Sequence, residues 1–363
     1  MAGRDDLIAA YLDALARELA QTLSTPQPVE TLFLGGGTPT HLQPSELEQL
    51  LRTVVQWLPL APEGEFSCEA NPLDCNPERL QILREFGVNR ISLGGQSFDD
   101  GKLRQLERDH SGAELRQALE RCAESFSRVS LDLIFAVPDE TLETWKGDLA
   151  SALASPVGHL STYGLTIERG AAFYGRMLHQ QLTELTAEHQ LEMYRHAIDE
   201  LSARGWEHYE VSNFACTDHA RCRHNEAYWL GHPWWAFGPG AASFEHAADG
   251  ESFARRVNHR STTAYLRKVQ SNQSPIAESE RLSREDFVRE RLVFGLRRLA
   301  GVDLQELSAW WGGDVSGLFE PYLHRYVQQG WLERSGSLVR LTPAGLVVSD
   351  GLWPDLLVSS SVG

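Results

Sequence analysis

The sequence is poor in cysteine and has none over its first 67 residues. Five cysteines in 363 residues are an odd number in a long chain, which is not typical of a disulfide framework. We therefore expect free thiols or ligands at the five positions, which are Cys68, Cys75, Cys122, Cys216 and Cys222.

Long apolar runs are also absent, and acidic residues outnumber basic residues. No stretch approaches the roughly 18 apolar residues that cross a bilayer, and residues 1–6 do not resemble the apolar part of a signal peptide. The formal charge of −17 opposes non-specific binding to nucleic acid or to anionic membranes. We expect a cytoplasmic protein with no stable membrane insertion and no nucleic-acid partner.

From residue 5 to about residue 204, helical and strand patterns alternate at short intervals. This alternation predicts βα units around a parallel sheet. The predicted strands are 31–35, 66–69, 90–93, 129–135 and 159–165. One predicted helix begins after an N-cap at Asp5, and a second begins at Pro44. The other predicted helices are 77–86, 112–125, 141–153 and 187–203. A βα barrel begins with a strand, whereas this chain begins with a helical pattern. We therefore predict an α/β fold, a partial TIM-type (β/α) barrel that lacks its first strand.

The pattern changes in the last quarter of the chain. Helical spacing at 283–298, 303–310 and 316–329 precedes a short hairpin at 331–341, a succession that resembles a winged-helix module. Acidic residues interrupt the arginines there, so a structural role is favoured over DNA binding. The predicted domains are 1–205 for the barrel, 206–279 for a connecting region and 280–363 for a small C-terminal winged-helix-like domain.

Polar residues fall at the carboxyl ends of the predicted strands, where a barrel binds its ligands. Three glycines follow the strand 31–35, and glycine lets backbone N–H and C=O groups approach a small ligand closely. Carboxylates accept hydrogen bonds from a ribose diol, and arginine binds carboxylates in bidentate fashion. This set suits a nucleoside joined to an amino acid: Gly35, Gly36, Gly37, Thr38, Glu69, Gln96, Arg108 and Asp132.

Five stretches resemble the oxygen-independent coproporphyrinogen oxidase-like branch of the radical S-adenosylmethionine (SAM) family. They are 33–40, 69–72, 94–99, 132–138 and 163–168. In that family the glycine motif contacts the methionine amino group of SAM, and the resemblance implies this role for residues 35–38. It likewise implies further cofactor contacts for Glu69, Gln96, Arg108 and Asp132.

A second motif reads His-Asn-x-x-Tyr-Trp from His224 to Trp229 and is similar to the signature of the family's heme chaperone subgroup. The resemblance implies heme as a ligand and a heme-accepting protein as a partner. Imidazole is a common axial ligand of heme iron, so His224 is the candidate ligand. The alternative is a histidine hydrogen-bonded within an aromatic core. Zinc is a further alternative, because Cys216, His219, Cys222 and His224 form a compact Cys/His cluster.

The sequence departs from the family at its start. Family members hold a [4Fe–4S] cluster with a Cys-x3-Cys-x2-Cys loop after their first barrel strand, and this chain has neither, so it supplies no iron–sulfur ligands. Either the reading frame starts upstream of Met1 or the cluster has been lost, and we expect the former. We expect no SAM cleavage by the chain as it stands.

Two functions fit these motifs. The resemblance implies a heme chaperone that binds heme and delivers it to an acceptor protein. The alternative is an oxygen-independent coproporphyrinogen III oxidase, which decarboxylates its substrate oxidatively. The motif at His224 favours the chaperone, and a third reading is a plain binding protein that has lost radical chemistry.

Overall fold

The computed structural model describes residues 5–166, 183–246 and 252–358, which form two compact units. One unit comprises residues 28–55 and 60–222, and is called the barrel unit below. The other comprises 1–27, 56–59 and 223–363, and is called the second unit. The three-domain division predicted from the sequence stays a prediction.

The barrel unit is built on one curled, seven-stranded sheet with the order β1-β2-β3-β4-β5-β7-β6. Strands β1 to β5 are parallel and adjacent in chain order, and β7 and β6 add antiparallel at one edge. The strands are β1 Val29–Leu34, β2 Leu60–Ala70, β3 Arg90–Gln96, β4 Arg128–Phe135, β5 His159–Gly164, β6 Glu207–Glu210 and β7 Asn213–Ala215. The predicted α/β half-barrel is confirmed.

Helices connect successive parallel strands and cover the sheet with apolar faces. In Pro44–Trp57 the proline occupies a helix-opening position that needs no N–H donor, and Leu47, Leu50, Leu51 and Val54 are buried. The helices of this unit are Pro44–Trp57, Pro77–Glu85, Asp100–Gln105, Gly112–Ser125, Leu142–Leu153 and Ala187–Ala203. The core therefore lies between the sheet and these helices.

The second unit contains the first helix, Ile8–Leu23, and two small antiparallel sheets. The predicted N-cap at Asp5 is wrong: Asp5–Leu7 forms a 3₁₀ turn, and Leu7 precedes the helix without a side-chain cap. The helices of the unit are Ile8–Leu23, Arg223–Trp229, Thr262–Gln270, Arg284–Leu296, Leu304–Trp311, Ser316–Gln328, Pro343–Val347 and Trp353–Leu357. Its strands are Ala242–His246, Phe253–Asn258, Ile276–Leu282, Val302–Asp303, Leu332–Ser335 and Leu338–Leu341.

The C-terminal part has the predicted succession of three helices and a hairpin. Arg284–Leu296, Leu304–Trp311 and Ser316–Gln328 precede the antiparallel pair Leu332–Ser335 and Leu338–Leu341. Gly336 turns the hairpin with φ at +63°, a conformation that glycine adopts without strain. Over the described ranges, no helix has the length and apolar character needed to cross a membrane.

Candidate functional site

The glycine turn after β1 is built around the carboxylate of Glu69. The backbone N–H groups of Gly36 and Gly37 donate hydrogen bonds to this carboxylate. A Cβ on Gly35 would lie 2.2 Å from the Phe33 ring and 2.9 Å from the Glu69 carboxyl group, so the close approach requires glycine. Gly36 has φ at +73°, which aims its N–H group toward Glu69 at no cost to a residue without a Cβ. Thr38 is exposed beside the turn.

Asp132 provides a second carboxylate near Glu69. It lies in β4, and the hydroxyl groups of Ser92 and Ser161 in the neighbouring strands donate hydrogen bonds to it. Burial raises the pKa of Asp132 to about 6, and burial together with repulsion from Asp132 raises the pKa of Glu69 to about 7. Two carboxylates this close favour a cationic or hydrogen-bond-donating ligand.

Arg108 lies in the loop after the helix Asp100–Gln105, with its side chain exposed. Its guanidinium is attracted to Asp109 and to Asp132. This interaction places Arg108 near Asp132, and its predicted contact with a cofactor stays a prediction. A guanidinium beside two carboxylates adds a cationic contact for a ligand's own carboxylate.

Gln96 ends β3 and is buried, with φ at +64°, a left-handed conformation that is uncommon outside glycine. The turn that follows is fixed by Asp148, which accepts hydrogen bonds from the Ser97 hydroxyl and the Phe98 N–H at 2.6 to 2.9 Å. Lys102 neutralises Asp148 at 2.9 Å. The network holds Gln96 between β2 and β4.

Several polar residues of the sheet escaped the sequence analysis. Ser130 Oγ lies 2.7 Å from His159 Nδ1, and His159 Nε2 lies 2.7 Å from the Tyr209 hydroxyl. Arg90 Nη1 donates to the carbonyl oxygen of Ala220 at 2.7 Å. The sequence did carry a signal for these residues. Polar residues recur at every second position within strands, and residues two apart in a strand lie on the same face of the sheet. This pattern occurs at Ser67 and Glu69, Arg90 and Ser92, Ser130 and Asp132, and His159 and Ser161.

The cysteines do not fit the iron–sulfur cluster that the resemblance implies. Cys68, Cys75 and Cys122 are buried in the core, where the Cys75 and Cys122 side chains hydrogen-bond each other. That hydrogen bond, together with burial, raises the pKa of Cys122, and burial raises the pKa of Cys68. Iron binds thiolates, which these sites disfavour.

The zinc alternative is not supported by the geometry. Cys216 is exposed, the His219 ring faces the Arg128 guanidinium at 3.1 Å, and Cys222 Sγ lies 3.8 Å from Glu65 Oε1. In the part of the chain that the structure describes, no three His, Cys, Asp or Glu side chains are arranged to hold a metal.

His224 lies on the short helix Arg223–Trp229 and belongs to an aromatic cluster. The i, i+4 spacing places His224 and Tyr228 on one helix face, and their ring centroids lie 4.9 Å apart, edge to face. Tyr228 in turn contacts Trp234 at 4.5 Å, and Trp234 contacts Phe244 at 5.2 Å. The structure therefore places the predicted ligand beside a set of aromatic rings, and its role stays a prediction.

Sequence profiles of two families match the chain: Radical SAM superfamily over residues 7–152 and HemN C-terminal domain over residues 282–348. A heme chaperone HemW from Bacillus subtilis is 34% identical over 94% of this chain and 90% of its own length. The chain belongs to the HemW family of radical SAM proteins. A HemW from Synechocystis sp. is 36% identical over 84% of this chain and 73% of its own length. The mouse mitochondrial radical S-adenosyl methionine domain-containing protein 1 is 32% identical over 92% of this chain and 77% of its own length.

A solved structure has the same fold. The coproporphyrinogen III oxidase HemN from Escherichia coli superposes with a TM-score of 0.83 over 98% of this chain and 85% of its own, at 19% identity. The relatives at 34% and 36% identity confirm the family predicted from the motifs, and this structure shows the fold. Radical SAM membership implies SAM and a [4Fe–4S] cluster as the family's cofactors. The last two residues of the motif 163–168 lie outside the described residues.

Proposed function

We propose that this protein is a heme chaperone: it binds heme and delivers it to an acceptor protein. The observation that carries the proposal is the position of His224 on the edge of the aromatic cluster, in a chain 34% identical to a HemW over nearly its whole length. An imidazole supplies an axial ligand to heme iron, and aromatic rings pack against an apolar macrocycle. The cytoplasmic location predicted from the sequence stays a prediction.

We propose further that the rim of the barrel unit binds SAM. The ammonium and sulfonium groups of SAM are cationic, and the rim presents Glu69, held by two backbone amides, next to Asp132. Asp132 and Gln96 are acceptors for ribose or amino-acid donors, and Arg108 pairs with a carboxylate. Because Gly35 has no side chain, its backbone can lie close to a ligand in this site.

The chaperone proposal is tested by titrating hemin into the full chain and into His224→Ala. We expect heme affinity to fall by about tenfold or more, equivalent to about 1.4 kcal/mol, and the Soret band to shift because an axial ligand is lost. His232→Ala is the matched control, since His232 is an exposed histidine of the same segment. Equal affinity and an equal Soret band in wild type and His224→Ala would remove the ligand assignment.

The alternative activity is the oxidative decarboxylation of coproporphyrinogen III. The structural likeness to the Escherichia coli oxidase supports the fold alone at 19% identity. Incubation of a version supplied with a Cys-x3-Cys-x2-Cys loop ahead of Asp5, with its cluster reconstituted, with coproporphyrinogen III and SAM under anaerobic reducing conditions discriminates the two functions. We expect no protoporphyrinogen, and its formation would overturn the chaperone proposal.

A further inference from the structure

A small pocket lies next to the His224 helix in the second unit. Its wall includes Tyr228, Gly231, Trp234, Arg255, Phe287 and Arg291. His224 packs on Tyr228, so the pocket begins one side chain away from the proposed heme ligand. The wall is thus largely aromatic and contains two guanidinium groups.

The two arginines differ in their partners. Arg255 is neutralised, because it forms ion pairs with Glu290 at 2.8 Å and Glu280 at 3.1 Å. Arg291 Nε and Nη1 are buried, and neither has a hydrogen-bond partner among the described residues. Buried donors without a partner are costly, especially on a charged group. Arg291 therefore has unused capacity to bind an anion.

The neighbouring backbone is shaped around this guanidinium. A Cβ on Gly231 would lie 2.4 Å from Arg291 Cδ and 2.7 Å from Nη1, and Gly231 has φ at +65°. Burial lowers the pKa of Arg291, an effect that attraction to Glu306 opposes and repulsion from Arg298 reinforces.

We propose that Arg291 binds a propionate carboxylate of the heme that His224 ligates. This inference rests on the proposed heme-binding function and names a second contact of the same site. Heme combines an apolar macrocycle with two carboxylates, which matches aromatic rings flanked by a guanidinium with two unsatisfied donors. Arginine recognises carboxylates through charged N–H donors, and Nε and Nη1 each supply one such donor on different edges of the guanidinium.

The test compares two ligands on two proteins: hemin and hemin dimethyl ester, titrated into the full chain and into Arg291→Gln. Esterification removes the anionic carboxylates and keeps the iron and the macrocycle. We expect wild type to bind hemin about 10 to 100 times more tightly than the ester, the range of a charged hydrogen bond. Arg291→Gln should bind both ligands at nearly the same, weaker level.

Three further measurements keep the outcome specific. Arg298→Gln removes the same charge from a residue outside the pocket wall and should keep the preference for hemin. Arg291→Lys should keep part of the preference for hemin over its ester, because the positive charge remains. Circular dichroism shows whether each variant folds. The comparison of hemin with its dimethyl ester on the wild-type protein does not depend on any variant.

The two proposals fail in different ways. Absence of hemin binding by wild type would overturn the chaperone function itself. Tight hemin binding with an unchanged preference over the ester in folded Arg291→Gln, or no preference in wild type, would overturn only the role of Arg291.

Discussion

At the scale of single residues, the glycine turn shows how one missing Cβ determines a site. Gly35 and Gly37 both belong to the same motif, yet their surroundings differ. A Cβ on Gly35 would overlap Phe33 and Glu69, whereas a Cβ on Gly37 would meet nothing within 4 Å. The motif therefore contains one glycine required by packing and one that packing does not require.

This difference predicts the behaviour of two alanine variants. Gly35→Ala should lower the free energy of unfolding by about 1 to 3 kcal/mol, because the new methyl group displaces the Glu69 carboxyl group. Gly37→Ala should stay within about 0.5 kcal/mol of wild type. Urea denaturation of both variants measures the difference. A Gly35→Ala protein as stable as Gly37→Ala would contradict the packing that we describe.

The sequence alone predicted candidate residues for the rim but not the contacts among them. It did not reveal that the Gly36 and Gly37 amides bind Glu69, since this contact joins the turn after β1 to a residue of β2, and the helix Pro44–Trp57 separates the two in the chain. The hydroxyl groups of Ser92 and Ser161 beside Asp132 were missed for a similar reason, because the register of three strands determines them. Motifs identify candidates, whereas pairing across strands identifies partners.

At the scale of elements, predictions were accurate where burial is periodic and failed where it is not. The five parallel strands of the barrel unit were predicted, with β4 predicted at 129–135 and observed at Arg128–Phe135, whereas the short strands β6 and β7 were not. The sheet formed by Ala242–His246, Phe253–Asn258 and Ile276–Leu282 was not predicted. In Ile276–Leu282 every residue but the last is exposed, so no alternation marks it as a strand.

The first helix illustrates an element held by a buried charge. Its apolar spacing predicted the helix, but Glu18 on its buried face accepts hydrogen bonds from the Gly238 N–H, the Asn258 amide and the Tyr265 hydroxyl at 2.6 to 2.9 Å. Burial raises the pKa of Glu18. The carboxylate joins three segments of the second unit to this helix.

Removing that carboxylate should be costly. Glu18→Ala leaves the Gly238 N–H and the Tyr265 hydroxyl without their acceptor and removes one of two acceptors of the Asn258 amide, so we expect a loss of about 3 kcal/mol in the free energy of unfolding. Glu18→Gln keeps one oxygen and should lose less. Asp13→Ala, on the exposed face of the same helix, is the control and should change little. Thermal unfolding in which Glu18→Ala matches Asp13→Ala would refute the role of this network.

At the scale of the whole molecule, two sets of buried groups act in opposite directions as pH changes. Glu69 and Asp132, with pKa values raised to about 7 and about 6, add stability at acidic pH that is lost as pH rises through these values. Burial lowers the pKa of His208 to about 4 and that of His159 well below its usual value. These imidazoles add stability above pH 6.5 that is lost as pH falls, because the unfolded chain then binds more protons.

These opposing contributions predict a shallow pH dependence of stability in the wild type. Between pH 5.5 and 7.5 each set contributes about 2 to 3 kcal/mol of opposite sign, so the free energy of unfolding should change little. The double variant Glu69→Gln and Asp132→Asn removes the acidic set and leaves the imidazoles. Its stability should fall by about 2 to 3 kcal/mol on acidification over the same range.

Urea denaturation at several pH values measures both profiles, with Glu48→Gln and Glu124→Gln as an exposed control pair. The control pair should keep the shallow profile, since both substitutions lie on the surface and leave Glu69, Asp132 and the buried imidazoles in place. A double variant as insensitive to pH as the wild type would show that the two rim carboxyl groups do not bind protons in the folded state near neutral pH. Protonation of these groups near neutral pH would also weaken an electrostatic preference for cationic SAM, so the same profile tests a premise of the proposed rim site.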